Sequence, residues 1–161
     1  DGLDVEKLKE LKAEGKSVTD YADGEKRDCD AIIDIECDLW IPAARPDVID
    51  EDNVNRLNTK LLVEGANIPV THAAEKILHD KGILYVPDFI ANAGGVICAA
   101  MEYHGATQVA AFDAIGEKIS RNTREVLERA KREKVSLRKA TIGLATERVR
   151  AAMNTRRFGV C

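Results

Sequence analysis

No run of apolar residues in this sequence approaches the roughly 20 that a helix needs to cross a bilayer. The opening Asp1-Gly2-Leu3-Asp4 does not have the order of a signal peptide. A cytoplasmic protein with no membrane partner is expected. Aromatic residues make up only 4%, and no basic block is interleaved with them. With a net charge of −4 and both signs interspersed, the surface is not that of a nucleic-acid binder. The four cysteines, Cys29, Cys37, Cys98 and Cys161, are irregularly spaced with no CxxC pair, so neither a zinc site nor a disulfide framework is expected. His72, His79 and His104 form no HExxH pattern, and no metal site is predicted. Repeats and low-complexity segments are also missing.

The 161 residues suffice for one domain with a substantial core. They are organised around the stretch Gly82-Ile83-Leu84-Tyr85-Val86-Pro87-Asp88-Phe89-Ile90-Ala91-Asn92-Ala93-Gly94-Gly95-Val96. Residues 83–86 are a β-branched and aromatic run, the pattern of a buried strand, and Pro87 ends it because proline cannot continue a ladder. Gly94 and Gly95 remove two Cβ atoms where a helix begins, which lets a backbone or a flat ligand approach. Asn92 places an amide, both donor and acceptor, at the carboxyl end of the strand. Two readings of this turn stand at this point: a ligand site, or an Asn92 helix cap with glycines that only ease packing. Two further strand ends share the design. Asp38-Leu39-Trp40-Ile41-Pro42-Ala43-Ala44 closes on proline and alanines, and Leu61-Leu62-Val63-Glu64-Gly65-Ala66-Asn67 closes on a Gly-Ala-Asn turn.

In chain order, residues 5–13 read as an amphipathic helix capped by Asp4 and stopped near Gly15. Residues 17–27 are polar with a turn at Asp23-Gly24, and a short helix is predicted over 28–35. The strand 38–41, a short helix over 51–57 and the strand 60–63 follow. A helix over 72–81 carries Thr71 as its cap, Ala74, Ile77 and Leu78 on one face, and Gly82 as terminator. Strands separated by crossover helices predict a parallel sheet. Beyond the glycines, helices are expected over 95–103, 108–134 and 137–153. In the second of these, Phe112, Ile115, Ile119, Val126, Leu127 and Ala130 form the apolar face, and Arg121, Arg124, Glu125, Glu128, Arg129, Lys131 and Arg132 the wet one. Ser136 caps the last helix, and the Arg156-Arg157 tail is expected to be irregular.

The run LVEGANIPVTHAAEKILHDKGILYVPDFIANAGGV, with CDLWIPAA before it, resembles the signature of the dinucleotide-binding domain of the glutamate/leucine/phenylalanine/valine dehydrogenases, most of all the glutamate enzymes. The similarity extends from Asp1 to about Phe158. It implies an α/β fold: the C-terminal half of a Rossmann-type doubly wound parallel sheet, about three strands, followed by long C-terminal helices. A GxGxxG turn and an acidic second strand end, which such folds use for pyrophosphate and ribose, do not occur in the sequence. Residues 1–161 are therefore expected to be a partial dinucleotide-binding domain, lacking that unit and the substrate domain with its catalytic lysine and aspartate. The chain alone should be inactive, with no catalytic residue of its own. The strand at 38–41 should form an apolar edge covered by other chain.

The resemblance implies NAD or NADP as cofactor, with NAD favoured, and an amino-acid substrate. In that reaction a hydride passes from the amino-acid Cα to the nicotinamide, and water converts the resulting imine to 2-oxo acid and ammonia. Asn67 and Asn92 would contact the nicotinamide carboxamide and its ribose. Ala43 and Ala44 would lie along the adenosine side, and Gly65, Ala66, Gly94 and Gly95 would bring backbone close to the cofactor. Glutamate-acting members usually carry serine at the position of Ala99, where it touches the distal carboxylate of the substrate. An alanine there weakens the glutamate reading and leaves branched-chain or aromatic amino acids as the alternative. A non-catalytic binding or oligomerisation module is the alternative from another class. Relatives form large homo-oligomers, and the same is expected of the whole enzyme.

Overall fold

The structure is a computed structural model, and it describes residues 2–155; the Arg156-Arg157 tail and Cys161 lie outside the described residues. Two compact units divide the chain between residues 35 and 36. In the first, α1 (Val5–Ala13) has the predicted bounds. The Asp4 carboxylate accepts the N–H groups of Glu6 and Lys7, and Gly15 leaves the helix at a φ of +75°. A capping box between Ser17 and Asp20 then closes a single 3-10 turn, Val18–Asp20. The helix expected over 28–35 is a 3-10 helix, Cys29–Asp34. Asp28 makes no side-chain cap bond, and the β-branched Ile32-Ile33 pair favours α-helix poorly.

The second unit is built on three parallel strands, β1 (Cys37–Trp40), β2 (Thr59–Val63) and β3 (Leu84–Val86), in the order β1-β2-β3. Each lies within one residue of its expected bounds. The register aligns Trp40 with Leu62 and Leu62 with Tyr85, a row of three buried side chains across one face. Between β1 and β2 the helix expected over 51–57 shrinks to one 3-10 turn, Val54–Arg56. Side chains compete there for the backbone: Asp50 Oδ1 accepts the N–H groups of Asp52 and Asn53, and Asn53 bonds to Asp50 N and Val48 O.

Helix α2 (His72–Asp80) starts on the Thr71 hydroxyl and stops at Gly82, whose φ is +74°. After β3, Pro87 opens a short helix not anticipated from the sequence, α3 (Asp88–Ala91). Helices α4 (Gly94–Tyr103), α5 (Gln108–Glu133) and α6 (Leu137–Asn154) complete the unit. Lys134, in the left-handed conformation, ends α5, and Ser136 caps α6. The core here gathers Ile90, Val126, Leu137, Ala140 and Leu144. Two side chains of α5 depart from expectation. Phe112 is 63% exposed, beside a depression that it lines with Cys98 and Glu102 of α4. Arg129 leaves the wet side: it lies over Gly143 of α6 and pairs with Glu147 through its two terminal guanidinium nitrogens, at 2.8 and 2.7 Å. No helix among the described residues is long and apolar enough to cross a membrane.

Candidate functional site

The carboxyl ends of three adjacent parallel strands lie side by side, the edge at which open α/β sheets bind ligands. Backbone bonds tie the first two together, since Gly65 N and Ala66 N both donate to Pro42 O, at 3.1 and 2.8 Å. Glycine at 65 lets the two tips approach closely: a Cβ there would sit 3.2 Å from Ala43 Cβ and 3.3 Å from Ile41 Cγ2, tighter than most side-chain contacts. Asn92 ties in the third tip. Its Nδ2 donates to Ala66 O at 3.2 Å and to Asn67 Oδ1 at 2.7 Å. The Asn92 side chain therefore does not cap α4, whose cap residue, Ala93, makes no side-chain bond. The cap reading of Asn92 is thereby set aside for α4: its amide joins two strand ends instead.

Between these tips opens a groove of about 800 Å³. Ala43, Ala44 and Arg45 line it from the first tip, Gly65, Ala66 and Asn67 from the second, and Asn92 and Gly95 from the third. A Cβ on Gly95 would meet nothing within 4 Å, so the missing side chain leaves the groove open. Gly94 and Ala99 are not among the lining residues. A Cβ on Gly94 would come into contact with Ile115 Cγ2, at 3.4 Å, so this glycine faces α5 rather than the groove. Ala99 is exposed one turn beyond Gly95 along α4.

With Asn92 Nδ2 and Asn67 Oδ1 engaged, Asn92 Oδ1 and Asn67 Nδ2 have no partner among the described residues. They offer an acceptor and a donor, the complement of a primary carboxamide. The groove thus has an amide pair, small residues that leave room, and a glycine at a helix start where backbone can come close. These features fit a flat, amide-bearing ligand. The lining residues include no nucleophile and no carboxylate, so the surface can bind and orient rather than transfer a proton.

Beneath the groove lies a charged cluster that the sequence reading missed. Glu64, at the end of β2, is fully buried (0% exposed); its Oε2 accepts Asp88 N at 2.8 Å and Arg138 Nη2 at 3.4 Å. Arg138, reaching in from α6, also donates Nη1 to Asp88 Oδ1 at 3.2 Å, bonds the buried Glu75 of α2 through Nε and Nη2, and stacks over Phe89 at 5.2 Å. Asp88 Oδ2 accepts the N–H of Ile68 at 2.9 Å, and Ile68 holds a φ of +50°, unusual for a β-branched residue. Burial pushes the Glu64 carboxyl up to about 7, against the opposing pull of the Asp88 N–H and the Arg138 charge. Burial likewise raises the Tyr85 hydroxyl to about 12. For Arg138 burial works against the charge, but Glu75, Glu64 and Asp88 outweigh it and hold the guanidinium above its ordinary value. One local signal did exist: strand alternation puts Glu64 on the same face as the buried Leu62. Arg45, exposed at the groove, followed its two alanines without any pattern to mark it.

The model of the Glutamate/Leucine/Phenylalanine/Valine dehydrogenase family matches residues 1–157. The glutamate dehydrogenase of Aeropyrum pernix is 37% identical over 166 residues, covering 97% of this chain and 40% of that protein. The NADP(+)-dependent glutamate dehydrogenase of Pyrobaculum calidifontis is 37% identical over 164 residues, covering 96% and 39%. Among solved structures, the hetero-hexameric glutamate dehydrogenase from Thermus thermophilus, in its Leu bound form, matches with a TM-score of 0.80 and 26% identity over 99% of this chain and 38% of its own. The L-tryptophan dehydrogenase from Nostoc punctiforme matches with a TM-score of 0.75 and 25% identity, over 96% and 44%. The chain spans 40% and 39% of the length of these two curated relatives. The chain belongs to the Glutamate/Leucine/Phenylalanine/Valine dehydrogenase family.

Proposed function

We propose that the groove receives the nicotinamide end of NAD or NADP, and that the whole protein is an amino-acid dehydrogenase acting on glutamate to give 2-oxoglutarate and ammonia. The observation that carries this reading is the bonded Asn67–Asn92 pair, which lines the groove with one unused acceptor and one unused donor. The bond from Asn92 Nδ2 to Ala66 O fixes that side chain before any ligand arrives, so little ordering is left to do on binding. Each added hydrogen bond contributes about 0.5–1.5 kcal/mol. Ala43 and Ala44 leave room along the groove, and Gly65, Ala66 and Gly95 offer backbone. Gly94 faces α5 instead. When bound, the cofactor supplies the hydride acceptor; the residues here orient it and shape the pocket. NAD is the first choice of this reading, and NADP, which the name of the Pyrobaculum relative carries, is the alternative.

In this reading the chain is one part of a larger enzyme. The substrate domain, the proton-transferring groups and the phosphate-binding unit lie elsewhere in it, and whole subunits associate as a homo-oligomer in the cytoplasm. The position of β1 supports a longer sheet: it is the outer strand of the order β1-β2-β3, an edge that a further strand can pair with, and Leu39 on it is 47% exposed. A branched-chain or aromatic substrate is favoured by one residue, Ala99, which offers no hydrogen bond to a distal carboxylate. Kinetics of the whole protein with NAD, NADP and a panel of amino acids test the assignment. Asn92→Ala is expected to raise the cofactor KM or lower kcat by about ten-fold; unchanged kinetics would remove the groove from the reaction.

A further inference from the structure

We infer that Glu64 and Asp88, clamped by Arg138, are positioning residues of the groove: they latch the loop that carries Asn67 to the turn that carries Asn92. The inference rests on the cofactor reading above only for what the groove holds.

The geometry is reciprocal. Glu64 directly precedes the Gly65-Ala66-Asn67 turn, and its carboxylate reaches across to the N–H of Asp88 at 2.8 Å. Asp88 begins the helical turn that ends on Asn92, whose own N–H donates to Asp88 O at 2.7 Å. The Asp88 carboxylate reaches back to the N–H of Ile68, the residue after Asn67, at 2.9 Å. Each loop thus holds the other by a charge-assisted bond, one in each direction, on either side of the Asn67–Asn92 contact. Ile68 is held from both sides, because a β-branched residue keeps a left-handed backbone only where its surroundings impose it. Besides the Asp88 carboxylate on its N–H, its carbonyl accepts Asp47 N at 2.9 Å.

Charge in this cluster serves position rather than stability. Apolar residues of similar volume often replace buried ion clusters without loss of stability, yet they could not satisfy the N–H groups of Asp88 and Ile68. The groups facing Glu64 are Arg138 from α6, Glu75 from α2, Asp88 from α3 and Tyr85 from β3. Among the described residues Glu64 Oε1 has no partner, so it can take a proton while Oε2 keeps its bonds. Glu64→Gln, which preserves one acceptor oxygen, should preserve the latch, and Glu64→Leu should open it.

Hydrogen exchange by mass spectrometry and an NADH fluorescence titration, both on the whole protein, test the inference. In Glu64→Leu, peptides covering residues 64–70 and 88–93 should exchange about ten-fold faster than in wild type while the β2 strand at 59–63 is unchanged. The NADH Kd should rise about ten-fold. In Glu64→Gln both should stay within about two-fold of wild type. If Glu64→Leu does not fold, Asp88→Asn takes its place: its single oxygen cannot serve both Ile68 N and Arg138, and faster exchange at 64–70 is again expected. Wild-type exchange in both loops of the folded variant would overturn the latch. If the wild-type protein binds no NADH, the cofactor reading fails, and the exchange data alone decide on the latch.

Discussion

Removing the Arg138 guanidinium tests what holds the floor of the groove. Its side chain is 16% exposed and lies among the carboxylates of Glu64, Glu75 and Asp88, all more buried than itself. In Arg138→Met the aliphatic stem is kept, so little cavity forms, but three buried carboxyls lose their cation. Leaving one buried charge without its partner costs about 3–5 kcal/mol, a large part of the roughly 5–15 kcal/mol that keeps a domain folded. The deficit must depend on pH. Glu64 already binds its proton more tightly when folded, at about 7 against an ordinary 4.5. The native state therefore holds more protons than the unfolded chain between those values, and stability falls as pH rises through that window, by about 3 kcal/mol from this group. Without Arg138 the Glu64 carboxyl loses the positive charge that opposes the effect of burial and is pushed further up, so the loss steepens with rising pH. Urea denaturation at pH 5 and pH 8 reports it, followed by the fluorescence of Trp40, the sole tryptophan, buried on β1. The variant should fall short of wild type by several kcal/mol at pH 8 and by distinctly less at pH 5. Equal midpoints at pH 8, or a larger deficit at pH 5, would refute the reasoning.

The two adjacent glycines should separate cleanly. Gly95→Leu meets open space, so thermal stability should hold or rise by up to about 1 kcal/mol, while NADH binding by the whole protein is lost. Gly94→Leu runs into Ile115 and Ile119 instead, and should lower Tm through overpacking worth about 1–3 kcal/mol; the same phenotype from both variants would contradict the division of roles. Ala99→Ser adds a hydroxyl to α4 and, on the proposed function, should raise kcat/KM for glutamate relative to leucine by about ten-fold in the whole protein. An unchanged ratio takes Ala99 out of specificity.

Much of the fold was legible because its signals are local. Asp4, Thr71 and Ser136 cap helices where the sequence puts them, and Gly15 and Gly82 leave them at positive φ. Apolar runs closed by proline or glycine marked the strands to within a residue. Short elements failed where side chains bid for the same backbone groups, as Asp50 and Asn53 do before β2. Phe112 failed for another reason: periodicity says which side chains share a face, not how far along the helix that face is covered.

The groove shows the same boundary more sharply. Its wall is made of absences, such as glycine at 65 and 95 and alanine at 43 and 44, and absences are visible one residue at a time. Its floor is made of charges whose partners lie far along the chain: Arg138 is 74 residues from Glu64 and 63 from Glu75. No window of sequence joins them. Read singly, Glu64 is a strand-end acid, Asp88 a residue after proline, and Arg138 a cation in the first turn of a helix, where the dipole does not favour it. That misplacement is intelligible only in three dimensions. The unfavourable helix position is offset by three carboxylates, which are themselves tolerable in a dry interior only because Arg138 is there. Each buried charge is explained by the others, and the same carboxylates bond the backbone of the two loops that bear Asn67 and Asn92.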